Sequence, residues 1–282
     1  MCGDHDLTKE HVFGKAFAAY LNVKVHWSTT STPIETTTGS EPVKGSSPIT
    51  NIAPPVLCGT CNKERLSGLM SSSLPYLKAI TSGQSLTFTP EIILALRRYF
   101  ERMALIVDVM TSNEQLTDKQ KQSKEHIRSA RFRDKPSVIT FDERKAWLNG
   151  ARLPQLKVLL GHHLGVMGLN PEFNPTIGQV LVAVVNGIPI SRTVKRISIM
   201  IRALTVVLDI DCPMDRVPSI FEIEQISAWP TMPKVTYDQY LTLRHQDQRT
   251  RWLRQLLADK RGLAMFEAKV RQDAAGSAAN SV

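Results

Sequence analysis

The chain contains no uninterrupted apolar run of the ~18–20 residues that a membrane-spanning helix requires. The nearest approach, residues 197–210, is broken by Arg202, so a soluble protein with no membrane partner is expected. Cysteine is scarce, with four in 282 residues, and the opening Met1-Cys2-Gly3-Asp4-His5 lacks the basic-then-apolar pattern of an export signal. The expected location is the cytoplasm, a reducing compartment in which paired cysteines point to metal before disulfide. Acidic residues are in the minority, 26 against 35 basic ones, for a net charge of +9. That balance suits a polyanionic partner such as DNA. What is plentiful is apolar side chain, 42% of the total, which excludes general disorder and provides for a packed core.

The positive charge is unevenly placed. Residues 91–160 carry 14 basic and 9 acidic side chains, over half of the excess. Lys119, Lys121, Lys124, Arg128, Arg131, Arg133 and Lys135 are interleaved there with few acids. Such a run either tracks phosphates or forms the solvated face of a helix.

Residues 28–50 are rich in Thr, Ser, Pro and Gly and read as a mobile insertion between two flanks of one site. Thr89, Pro90 and Glu91 then supply an N-cap, a first-turn proline and a first-turn acid. The helix they open has Ile92, Leu96, Tyr99, Phe100, Met103, Ile106 and Val107 at helical spacing, and Arg97, Arg98, Glu101 and Arg102 on the other face. Helices are expected over 90–150. Between 155 and 210 the pattern becomes β, with Asn186-Gly187 placed for a tight hairpin turn, and an antiparallel sheet is expected. Thr236 with Gln239 three residues on is a capping box, opening a helical tail over 235–275.

Two short elements carry chemistry. The first is Leu7-Thr8-Lys9-Glu10-His11, and the second is Val56-Leu57-Cys58-Gly59-Thr60-Cys61-Asn62. Cys58 and Cys61 have the C-x₂-C spacing of a zinc knuckle, in which two thiolates bind one tetrahedral ion. One knuckle supplies two ligands, so a second pair must come from elsewhere. Cys2-Gly3 has the form of the second half of a knuckle whose first cysteine would precede Met1. The alternatives are that His5 serves through Cys2-x₂-His5, or that the zinc site has degenerated. Cys212 is remote and reads as a free thiol. His162 and His163 are adjacent in a strand-like segment, point to opposite faces, and read as structural.

The order of Cys-Gly, a short spacer, Leu-Thr-Lys-Glu-His-Val-Phe, a variable insertion, and then Leu-Cys-x-x-Cys-Asn with a helix resembles the HNH endonucleases of the ββα-metal type with a zinc-knuckle frame. The resemblance covers about the first 80 residues. It implies an α+β protein: an N-terminal ββα-metal unit over 1–80, then an accessory region over 81–282 with a helical segment, an antiparallel sheet and a C-terminal helix. By the same resemblance His11 is the general base, Glu10 helps hold a catalytic Mg²⁺ or Mn²⁺, and Asn62 supports the site. Cys58 and Cys61, with Cys2 and His5, would hold a structural Zn²⁺. The third motif position, on the helix, has no histidine between 63 and 73, and Glu64 is the nearest surrogate. The implied activity is metal-dependent hydrolysis of DNA phosphodiesters. The alternative is a zinc-stabilised nucleic-acid-binding or phage/defence interaction protein with a degenerate, inactive site.

Overall fold

A computed structural model describes residues 7–32, 43–48, 52–53, 55–112, 137–163, 171–185, 188–211, 219–236 and 239. The elements in chain order are β1 (Leu7–Lys9), α1 (Lys15–Leu21), β2 (Lys24–Thr32), β3 (Val43–Pro48), β4 (Pro55–Cys58), a π-helical turn (Cys61–Leu66) running into α2 (Ser67–Ser82), and β5 (Leu86–Thr87). Next come α3 (Pro90–Met110) and α4 (Phe141–Leu148). The long strands are β6 (Leu156–His163), β7 (Glu172–Val185), β8 (Ile188–Ile201) and β9 (Leu204–Ile210), and three short strands close the described chain: β10 (Phe221–Glu222), β11 (Ala228–Trp229) and β12 (Lys234–Val235). The architecture is α+β.

The main sheet runs β10-β6-β9-β8-β7-β2-β3, with β12 also pairing β6. Its central part, β6-β9-β8-β7, is the antiparallel sheet expected from the alternating pattern. Val185 pairs with Ile188, and the expected Asn186-Gly187 turn between them lies outside the described residues. The sheet as a whole is mixed, because β2 joins β7 in parallel. Residues 24–32 and 43–48 thus form strands in a segment expected largely as a mobile insertion. Strand pairing there uses backbone groups, which need no apolar side chain to form a ladder.

A second difference lies at Arg202-Ala203, where the apolar run 197–210 breaks into β8 and β9. No glycine, proline or asparagine marks that turn. It is made by Arg202 adopting a left-handed conformation at φ 53°, which sequence propensity disfavours.

Helix α3 lies over one face of this sheet. Leu96, Tyr99, Phe100, Met103 and Ile106 pack in one cluster with Val158, Leu160, Ile197, Ile199, Val206 and Leu208. Thr89 caps the helix as expected, its hydroxyl accepting from Ile92 N–H at 3.4 Å. The charged face opposite the apolar stripe is largely buried: Glu101 is 0% exposed and Arg102 1%. Glu101 accepts from Arg97 Nε at 3.0 Å, from Trp147 Nε1 at 2.7 Å and from Leu153 N–H at 3.4 Å. Farther along, Asp108 pairs with Lys195 at 2.7 Å and accepts from the backbone of Val138 and Ile139, each at 3.0 Å. A buried charge is tolerable only when paired and hydrogen-bonded, and each of these has found its partners from elsewhere in the chain.

On the opposite face of the sheet, Arg196 and Asp209 form a buried bidentate pair across β8 and β9, at 2.5 and 2.9 Å. His163 is buried with Nδ1 2.9 Å from Val235 O, and His162 packs edge-on against Trp229. The reciprocal bonds of the Thr236–Gln239 capping box are formed, at 2.9 and 3.2 Å. The helical tail that it was expected to open lies outside the described residues.

Candidate functional site

The two halves of the motif meet in a small two-stranded sheet. β1 and β4 pair antiparallel with Leu7 opposite Cys58 and Thr8 opposite Leu57, and the register shifts between Thr8 and Lys9. The irregularity ends the strand and turns the chain, so that Glu10 is buried while His11 stays partly open. From β4 the chain passes directly into the helical segment that contains Asn62, whose Nδ2 donates to Thr8 Oγ1 at 3.2 Å. Residues 54 positions apart are thereby joined.

The knuckle turn has local order of its own. Cys58 Sγ accepts from Cys61 N–H at 3.4 Å. Both side chains are buried, and neither is in a disulfide. The donor set fits half of a tetrahedral zinc site. Cys2 and His5, expected to complete it, lie outside the described residues. So do Lys119, Lys121, Lys124, Arg128, Arg131, Arg133 and Lys135. Among the described residues no group of three or more His, Cys, Asp or Glu side chains converges on one point.

Helix α3 fixes the turn from below. Arg102 Nη2 donates to Glu10 Oε1 and, at 2.6 Å, to His11 O, while Nη1 reaches Val12 O at 3.3 Å. Tyr99 OH donates to Phe13 O at 3.0 Å, and burial holds its phenol protonated by raising its pKa well above 10. Val12 N–H donates to Ile52 O at 2.9 Å. Gly14 then enters α1 at φ 69°, with Met70 packed where a β-carbon would stand. The backbone on both sides of His11 is therefore held by contacts from distant elements.

His11 itself has its pKa lowered from 6.5, first by burial and then by the positive charge of Lys15. It is a neutral imidazole at neutral pH, as a general base must be. Glu10 is in a different state from the one the resemblance implies. Its carboxylate is already compensated by a buried guanidinium, which burial pulls down to about 9 and which remains charged at neutral pH. A divalent cation does not fit beside Glu10 while Arg102 occupies that position.

Arg102 and Tyr99 are the site residues that sequence reading missed. Their spacing of three on one helix was visible, but it gave no sign that this face turns toward the His11 segment. The π-helical turn at Asn62 was also unmarked; such turns recur at functional sites. Comparison with known proteins adds no relative to this picture: no family model, no curated protein and no solved structure matches the chain.

Proposed function

We propose that the chain is an HNH-type endonuclease that hydrolyses DNA phosphodiesters with His11 as general base. The observation that supports this best is the joining of the two motif halves. The β1–β4 pair leads into a helical segment, and Asn62 bonds back to Thr8 from it. In this reading the partly open, neutral His11 takes a proton from the attacking water. Lys15, near enough to depress that imidazole, adds positive charge on the side an anionic phosphate approaches. Zn²⁺ on Cys58 and Cys61, with Cys2 and His5 as the further ligands, braces the β1–β4 pair. The resemblance also implies Mg²⁺ or Mn²⁺ at Glu10, where Arg102 already stands.

The Arg102–Glu10 pair favours a second reading, a zinc-stabilised nucleic-acid-binding or phage/defence interaction protein with an inactive HNH site. One experiment separates the two. The purified chain is incubated with plasmid DNA in Mg²⁺, in Mn²⁺ and in EDTA, alongside His11→Ala. Cleavage that EDTA and His11→Ala both abolish supports the endonuclease. DNA binding without cleavage under any divalent metal replaces it with the second reading.

A further inference from the structure

Tyr20, in the last turn of α1, carries two cations against its ring. The Lys78 ammonium lies 5.3 Å and the Arg202 guanidinium 4.7 Å from the ring centroid. They arrive from separate elements, Lys78 from α2 and Arg202 from the β8–β9 turn. That turn is docked on α2 by Ala203 N–H, which donates to Thr81 O at 3.1 Å. Arg202 Nη2 also reaches Leu21 O at 3.5 Å. Phe17 stacks beside Tyr20 at 6.1 Å and steadies the ring from within α1.

Three features set this cluster apart from an ordinary solvated surface. Lys78 and Arg202 are both exposed, and among the described residues no carboxylate pairs with either. An aromatic ring attracts cations through its quadrupole but leaves their charge unneutralised. Arg202 also occupies the first position of a two-residue hairpin turn at φ 53°, a place that usually falls to glycine. A left-handed arginine costs backbone energy, and strain of this kind tends to be kept where a side chain must be aimed.

Two fixed, uncompensated positive charges match the phosphates of a nucleic-acid backbone. We propose that Lys78 and Arg202, organised by Tyr20, form a phosphate clamp for the DNA strand. The clamp rests on the nucleic-acid partner of the reading above and is independent of cleavage. The seven residues of α1 separate it from the His11 turn, about 10 Å at the helical rise. A strand held at the clamp thus reaches the His11 turn within about three nucleotides at ~3.4 Å each.

The test uses the full chain as purified, without chelator and without added Mg²⁺ or Mn²⁺, so that cleavage plays no part. Binding of fluorescein-labelled duplexes of two unrelated sequences is followed by anisotropy between about 50 and 200 mM salt. Wild type is compared with Lys78→Gln, Arg202→Asn and the double variant, with thermal melting as the check on folding. Asparagine accepts left-handed backbone, and Lys78 makes no backbone bond that the glutamine would forfeit. The double variant should bind both sequences more weakly and flatten the slope of log K on log salt by up to about 1.8, at ~0.9 per lost phosphate contact. Unchanged affinity and slope with native melting overturns the clamp, because cations that only tie α1, α2 and the turn together leave DNA binding unmoved. If Arg202→Asn melts early, Lys78→Gln decides alone: a slope flattened by up to about 0.9 supports the clamp, and an unchanged one removes it.

Wild type that binds anionic phospholipid vesicles but not duplex also overturns it. Wild type that binds DNA through these residues yet never cleaves leaves the clamp standing and removes the nuclease reading. Wild type that cleaves while the double variant binds normally removes only the clamp.

Discussion

Arg102 and Glu10 form a buried ion pair between the middle of α3 and the turn that presents His11. The same guanidinium also accepts the duty of holding the His11 and Val12 carbonyls. Removing one partner of such a pair leaves an uncompensated charge in the interior, at a cost of about 3–5 kcal/mol. Arg102→Met and Glu10→Gln should each destabilise the chain by an amount of that order in urea unfolding. Glu10→Gln combined with Arg102→Met should lose less than the sum of the two single losses. Additive losses would mean that the pair does not exist in solution.

His11 gives a pH dependence with a definite sign. The base is active when neutral, and burial followed by the Lys15 charge lowers its pKa from 6.5. Cleavage should therefore be level at neutral pH and fall only as pH drops through a midpoint below 6.5. Replacing Lys15 with alanine should move that midpoint upward while leaving the larger share of the depression, due to burial, in place. A midpoint above 6.5 in the wild type, from initial rates on plasmid DNA, would exclude His11 as the titrating base in this environment.

Zinc should be recoverable from protein purified without chelator, at about one ion per chain by elemental analysis. Cys58→Ser or Cys61→Ser should release it and lower the melting temperature, since metal binding to so small a two-stranded sheet is itself folding energy. Zinc-free wild type that melts normally would dismiss the knuckle as a metal site.

Gly14→Ala tests the entry to α1. The position has φ 69°, and an added β-carbon would lie 2.9 Å from Met70 Sδ and closer still to its methyl. A loss of roughly 1–3 kcal/mol is expected from overpacking together with left-handed backbone. Met70→Ala in the same chain should restore the packing share of that loss and leave the backbone share. Full rescue by Met70→Ala would show that the backbone conformation matters little.

Neutralising four of the basic residues in 119–135 provides a separate measurement on DNA. If that run tracks the backbone, affinity should fall on all sequences alike and the salt slope should flatten by up to about 0.9 per lost contact, while cleavage at saturating DNA barely changes. Unchanged affinity identifies the run as a solvated face.

The sequence by itself determined what depends on local pattern. The cap and apolar stripe of α3, the alternating strands from 156 to 210, and the capping bonds of Thr236 and Gln239 follow from spacing and turn chemistry. The Cys58-x-x-Cys61 turn was equally legible, because its geometry is set within four residues. Tertiary structure alone decided the fate of the charges. Polar side chains at 97, 101 and 102 look the same in sequence whether they face water or an internal partner. Only the meeting of α3 with the Glu10 turn and with Trp147 turned them into a buried network. The Arg202 turn and the parallel pairing of β2 with β7 were hidden for the same physical reason. Each is a conformation that local propensity opposes or leaves open, selected by contacts with residues far away along the chain.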